Sequence, residues 1–114
     1  MSGERLPTHV EVAGILRRAA ANGDFATVMR KGDSDRGSLL LIVTSRGRHV
    51  ACLERALSMD GIYRWTKVGP GESTGSEELA EFLRKRARFD GDSWAIELDI
   101  AEPERFIAET TSSG

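Results

Sequence analysis

The chain has one cysteine, three prolines, two histidines and few aromatic residues, 6% of its 114 positions. Each shortage excludes something. The single thiol, Cys52, cannot close an intrachain disulfide, which suits a reducing compartment and makes a cytoplasmic location the expectation. His9, in the first turn of the first helix, has no second ligand at a zinc-binding spacing. The longest wholly apolar run, Leu39–Val43, is five residues; a membrane-spanning helix needs about twenty. The opening segment Met1–Pro7 has no apolar stretch that would serve as a secretory signal, so no membrane partner is expected.

What is present is the composition of an ordinary folded domain, 39% hydrophobic and 30% charged. At this length about two thirds of the unfolded surface can be buried, enough for one core. The expected organisation is a flexible start over 1–5, one domain over 6–107 and a disordered tail over 108–114. A net charge of -2 conceals an uneven distribution: residues 17–67 carry +5 and residues 68–114 carry -6. Such asymmetry fits a basic face for a polyanion, two surfaces meeting across a subunit contact, or solvated charge that merely clusters along the chain.

Thr8 reads as an N-cap, with Glu11 completing a capping box ahead of the stripe Val12, Ile15, Leu16 and Ala19. Asn22-Gly23 ends that helix. Strands follow at Phe25–Lys31, Leu39–Thr44, His49–Glu54 and Ile62–Val68, separated by the polar stretch Gly32–Gly37, by Arg46-Gly47 and by Met59–Gly61. Short connections make a four-stranded meander the simplest topology. After a Gly- and Pro-rich loop, Thr74 with Glu77 repeats the capping pattern, and Leu79, Phe82, Leu83 and Ala87 define a second helix. Ser93–Asp99 is a half-buried strand with Trp94, Ile96 and Leu98 on one face. The predicted fold is therefore α+β, an antiparallel sheet of four to five strands with two helices in the order α-β-β-β-β-α-β. Leu39–Val43 puts apolar side chains on both faces of its strand, and a second copy of the chain is one way to cover them.

Asp90, Asp92 and Glu97 suggest a divalent cation, because hard ions take carboxylate oxygens. Ser93 and Trp94 stand where further ligands should continue, so the preferred reading is a turn capped by Asp90 and Asp92, with Arg88 paired to one of them and the rings of Phe89 and Trp94 anchoring the interior. No metal or cofactor is expected. Gly69–Ser76 lacks the spacing and lysine of a phosphate loop and carries Glu72, so an ordinary loop is preferred there. His49 and Cys52, three apart on a strand, are expected on opposite faces. The basic residues of the meander, with Tyr63 and Trp65 at period two, weakly suggest nucleic-acid binding, against which the pI of 5.7 weighs.

With Leu16-Arg17-Arg18 near one end and Arg88-Phe89-Asp90-x-Asp92-x-Trp94-x-x-Glu97 near the other, the chain resembles the bacterial family of unknown function DUF1491 over most of residues 6–107. The corner from Phe89 to Trp94 is the specific part of that resemblance. The chain departs from the family pattern at Glu11 or Ile15, where an aromatic is expected, and at Gly91, where many relatives have proline. The resemblance supports the domain boundaries and implies no activity.

Three functions follow as expectations. The first is a non-enzymatic interaction module, a homodimer or the partner of another protein. The second is a small ligand-binding domain or enzyme with an anion site near the corner, in which Arg17, Arg18 and Arg88 hold the anion and Asp90 or Glu97 acts as acid or base, with Asp92 and Trp94 as further candidate ligand or interaction residues. The third is nucleic-acid binding through the basic meander, the least favoured.

Overall fold

The computed structural model describes residues 6–72 and 74–112; the expected flexible start at 1–5 and the last two residues of the expected tail lie outside them. The order is α1 (Thr8–Ala21), β1 (Phe25–Arg30), β2 (Leu39–Ser45), β3 (Arg48–Leu57), β4 (Tyr63–Val68), α2 (Ser76–Phe89), β5 (Trp94–Asp99) and α3 (Pro103–Ser112). Among the described residues no helix is long and apolar enough to cross a membrane.

The strands form one sheet in the order β1-β5-β2-β3-β4, antiparallel except where β5 runs parallel to β2. This corrects the predicted meander. The eight residues between β1 and β2 exceed the two to five or so of a tight hairpin, and β2, apolar on both faces, needs a well-buried neighbour on each side. β5 supplies one: Leu39 pairs with Trp94, Leu41 with Ile96 and Val43 with Leu98. β1, with Phe25 and Met29 exposed, is left at the edge.

Both faces of β2 are covered within the chain. Val12 of α1 and Ile107 of α3, with Ile15, Leu16 and Phe106, pack on Leu39, Leu41, Val43, Leu53, Ile96 and Leu98. Leu79, Phe82 and Leu83 of α2 lie across Leu40, Ile42 and Cys52 on the other face, although no residue of α2 is itself fully buried. Arg86 of α2 pairs with Glu54 and tethers the helix to β3. The apolar strand that suggested a second copy is thus satisfied by α2.

α3 is a third helix where a strand break and tail were expected. Pro103 occupies its first position, where a missing N–H costs nothing. Ile107 enters the core, and the helix continues through Glu109 to Ser112. The first helix also starts differently from the prediction. Thr8 is not an N-cap but the first helical residue, fully buried, with its hydroxyl donating to the Gly37 carbonyl at 2.7 Å. The Thr8 and His9 amides donate to Asp35 and Ser34 carbonyls, so a distant loop satisfies the helix start in place of a capping side chain. Glu11, freed from a capping role, pairs with Arg55. At α2 the cap is Gly75, one residue later than predicted, with its N–H donating to the Glu78 carboxylate.

That loop, residues 31–38, also clasps the start of β5. The Asp33 N–H donates to the Asp92 carbonyl (2.9 Å), the Trp94 N–H to the Ser38 carbonyl (2.8 Å) and the Trp94 indole N–H to the Asp33 carbonyl (2.7 Å). The approach is backbone to backbone. A Cβ on Gly37 would run into the Asp92 carbonyl and stand 2.8 Å from both the Asp33 carbonyl and the Trp94 ring. Gly37→Ala is therefore expected to destabilise the fold by about 1–3 kcal/mol, the cost of overpacking a closed contact. Urea unfolding measures this, and a midpoint equal to that of the parent would count against the clasp.

Candidate functional site

Between α1 and α3, over the sheet, lies a cavity of about 580 Å³, within the range of roughly 300–1,000 Å³ that small-molecule sites occupy. Its floor is made by Leu39, Leu41, Leu98 and Ile100, its sides by Ile15, Trp65 and Phe106. α1 is buried at Thr8, Val12 and Ala19, while Gly14 and Ile15 between them are half-buried and line the opening.

Five charged residues line this cavity: Glu11, Arg17, Arg18, Asp24 and Arg55. Glu11 and Arg55 neutralise each other in a half-buried pair, and the Arg55 guanidinium also lies 5.5 Å from the centre of the Tyr63 ring. Asp24 accepts a hydrogen bond from the Ala101 N–H at 3.3 Å. Arg17 and Arg18 make no ion pair with any described residue. Their tips come together over Gly14: a Cβ there would lie 3.4 Å from Arg18 Nη1 and 3.9 Å from Arg17 Nη2.

Sequence reasoning found the two arginines and missed the rest of this wall. The legible signal was Gly14, an isolated glycine inside a strongly periodic helix, where it costs about 1 kcal/mol relative to alanine and so invites a packing reason. Trp65 and Phe106 carried no signal of their own, because β4 and α3 reach the cavity only through the sheet order.

The corner does not join this site. The cavity is lined by none of Arg88, Asp90, Asp92, Trp94 and Glu97, which corrects the expectation that the arginine pair and the corner acids converge. The corner is scaffold. Asp90 accepts the Ser38 hydroxyl at 2.9 Å and the Asp92 N–H at 3.1 Å, and its carbonyl accepts the Ser93 hydroxyl at 2.8 Å. Arg88 forms no ion pair with Asp90 or Asp92; it lies exposed near Glu81, and Arg30 reaches the corner instead, donating to the Gly91 carbonyl at 3.0 Å. Trp94 is 4% exposed, as an anchor should be, whereas Phe89 is 90% exposed and anchors nothing. Glu97 sits half-buried on the α2 side of the sheet, between Thr27 and Ile42, with no hydrogen bond or ion pair to a described residue. No group of three metal-ligating side chains occurs among the described residues.

The remaining candidates are structural. A bulge in β3 pairs His49 with Thr44 and Cys52 with Ile42, which sets both on the face α2 covers, not on opposite faces as alternation predicts. They serve different ends: His49 Nε2 meets the Pro70 carbonyl at 3.0 Å, and burial pushes the Cys52 thiol up to about 11 against the pull of Arg86. Trp65 packs toward the core and Arg64 pairs with Asp60, so the basic residues and aromatics of the hairpin do not form one open stacking surface.

The two rings of the corner make opposite forecasts. Trp94→Ala is expected to cost about 3–5 kcal/mol by emptying a core position, and Phe89→Ala to stay within about 0.5 kcal/mol of the parent. Denaturant midpoints for the two variants check this; equal losses would contradict the assignment of Trp94 as the sole corner anchor.

Comparison with known proteins bears on the whole chain. A family model described as a protein of unknown function, DUF1491, matches residues 6–108. A crystal structure of a DUF1491 family protein from Caulobacter crescentus is 29% identical, with a TM-score of 0.76 over 95% of this chain and 98% of that one. An NMR structure of a DUF1491 family protein from the same organism is 34% identical, with the same TM-score over 95% and 97%. A solution structure of an A. tumefaciens protein is 29% identical, with a TM-score of 0.71 over 87% and 89%. No curated protein matches. The family model covers most of the chain and the Caulobacter crescentus structures match it along nearly their whole length, so the chain belongs to the DUF1491 family.

Proposed function

We propose that this protein is a small-ligand-binding domain whose site is the groove between α1 and α3. The single observation that carries the reading is the cavity itself: an apolar floor of Leu39, Leu41, Leu98 and Ile100 under two helices that leave it open. An open groove of this size with an apolar floor beside a closely packed sheet is the kind of concavity that small-molecule sites use. Relative to the sequence-based expectations, the ligand-binding alternative is kept, and its position moves from the corner to the helix groove.

A macromolecular contact is the second reading, supported by Phe89 at 90% exposure beside Lys85 and Arg88, and by Leu57 and Met59, both exposed at the end of the β3–β4 hairpin. Light scattering coupled to size exclusion tests its homodimer form: a dimer that Phe89→Ser converts to a monomer supports it, and a monomeric parent at tens of micromolar removes it.

For the groove, the neutral fluorophore N-phenyl-1-naphthylamine is a suitable probe, because it reports entry into an apolar cavity without any charge. One equivalent is expected to bind, with blue-shifted emission. Ile15→Trp, which fills the cavity from α1, is expected to abolish binding while the unfolding temperature is kept. Absence of binding to the parent, or binding unaffected by Ile15→Trp, would remove the reading.

A further inference from the structure

We infer that the occupant of the groove is an anionic amphiphile, a molecule with an apolar chain or ring and one carboxylate or phosphate end, and that Arg17 and Arg18 clamp the anionic end over Gly14. The inference rests on the groove being a ligand site, and adds which end of the ligand goes where.

Charge accounting within the cavity wall selects the anion. Of the three arginines, Arg55 is already matched by Glu11, and its guanidinium is held against Tyr63. Arg17 and Arg18 have no described acid opposite them, while Asp24, the remaining acid of the wall, spends one carboxylate oxygen on the Ala101 N–H. The wall therefore carries one net positive charge, concentrated at the C-terminal half of α1.

Geometry makes the two arginines a unit. Consecutive residues on a helix point about 100° apart and do not face each other. Both nevertheless neighbour one earlier position, because residues three and four places after Gly14 lean back over its bare backbone, and each guanidinium tip comes within 4 Å of where a Cβ on Gly14 would lie. Two guanidinium groups placed over one bare stretch of helix suit a single anion, since guanidinium forks match carboxylate and phosphate oxygens in pairs. A side chain larger than alanine at Gly14 would occupy the point where the tips meet. The apolar floor lies on the other side of the same opening, so a ligand held by its anion at Arg17 and Arg18 lays its tail on Leu98, Ile100 and Phe106.

The net charge of the wall also sets the limit on the ligand's charge. With one unmatched positive charge, a ligand with a single anionic group is complemented, whereas a polyanion would meet Glu11 and Asp24. This separates an amphiphile from a nucleic-acid strand as the occupant.

The test uses the full-length protein and three ligands sharing one chain, decanoate, decyl phosphate and decanol, each below its micelle-forming concentration, with affinity read by displacement of N-phenyl-1-naphthylamine. Decanoate or decyl phosphate is expected to bind at least about tenfold more tightly than decanol, the margin of a charge-assisted hydrogen-bonded pair, and the better of the two identifies the head group. In the Arg17→Gln, Arg18→Gln double variant that margin is expected to vanish while the fluorophore still binds; Arg88→Gln is expected to keep it. Equal affinity of the parent for the acid, the phosphate and the alcohol overturns the clamp and leaves the groove reading standing. Failure of the fluorophore and all three ligands to bind overturns both. Because the comparison of ligands on the parent protein needs no substitution, the result does not depend on the variants folding.

Discussion

The clasp of the 31–38 loop is the contact on which the rest of this molecule depends. One short segment satisfies the first two amides of α1, accepts the Thr8 hydroxyl, and receives both N–H groups of Trp94. It therefore sets three things at once: where α1 begins, where β5 enters the sheet, and how the corner after α2 is turned. The clasp works because Gly32 and Gly37 let its backbone touch the Asp92 carbonyl directly, where any side chain would hold the two strands of chain apart. α1 is pinned at Thr8 by the loop and turns at its far end through Gly23 into β1, while Val12, Ile15 and Leu16 between them rest on the sheet. α3 supplies the opposite wall. The cavity is a consequence of how the helices are tied down, and its opening is where the helices part.

The charge asymmetry along the chain is offset in part across the fold, where Arg48 of the basic segment meets Glu72 of the acidic one. Exposed pairs of this sort contribute little to stability, but they consume charge that would otherwise form a basic face. What remains unmatched in the cavity is the pair Arg17 and Arg18, so the local residue of an even charge distribution points at one place.

Much of the fold was legible, and the failures share a cause. The periodic stripes of α1 and α2, the Gly23 stop and the alternation of β5 are local, and they are where the structure has them. The α+β class followed from them. The strand order did not, because pairing of β5 with β2 depends on contacts more than fifty residues apart, and the doubly apolar run of β2 tells of a central strand without naming its neighbours. α3 was hidden by Pro103, which reads as a break from the strand side and as a helix start from the other. Thr8 satisfied the local rule for a cap, and a long-range loop outcompeted it. At the site, Arg17 and Arg18 stood out as a charged pair at a helix end, while the corner drew attention through its density of acids and rings. Of those acids, Asp90 holds a backbone amide and a hydroxyl, the usual work of aspartates in turns.

The central claim is that the binding surface is the α1–α3 groove and the Phe89–Trp94 corner is support. Amide chemical-shift perturbation by NMR on titration with decanoate tests it most directly. The account requires the largest shifts at Gly14, Ile15, Arg17, Arg18, Ile100 and Phe106, with the amides of Asp90 to Ser93 unmoved. Shifts centred on the corner, or confined to the exposed hairpin end around Met59, would contradict it.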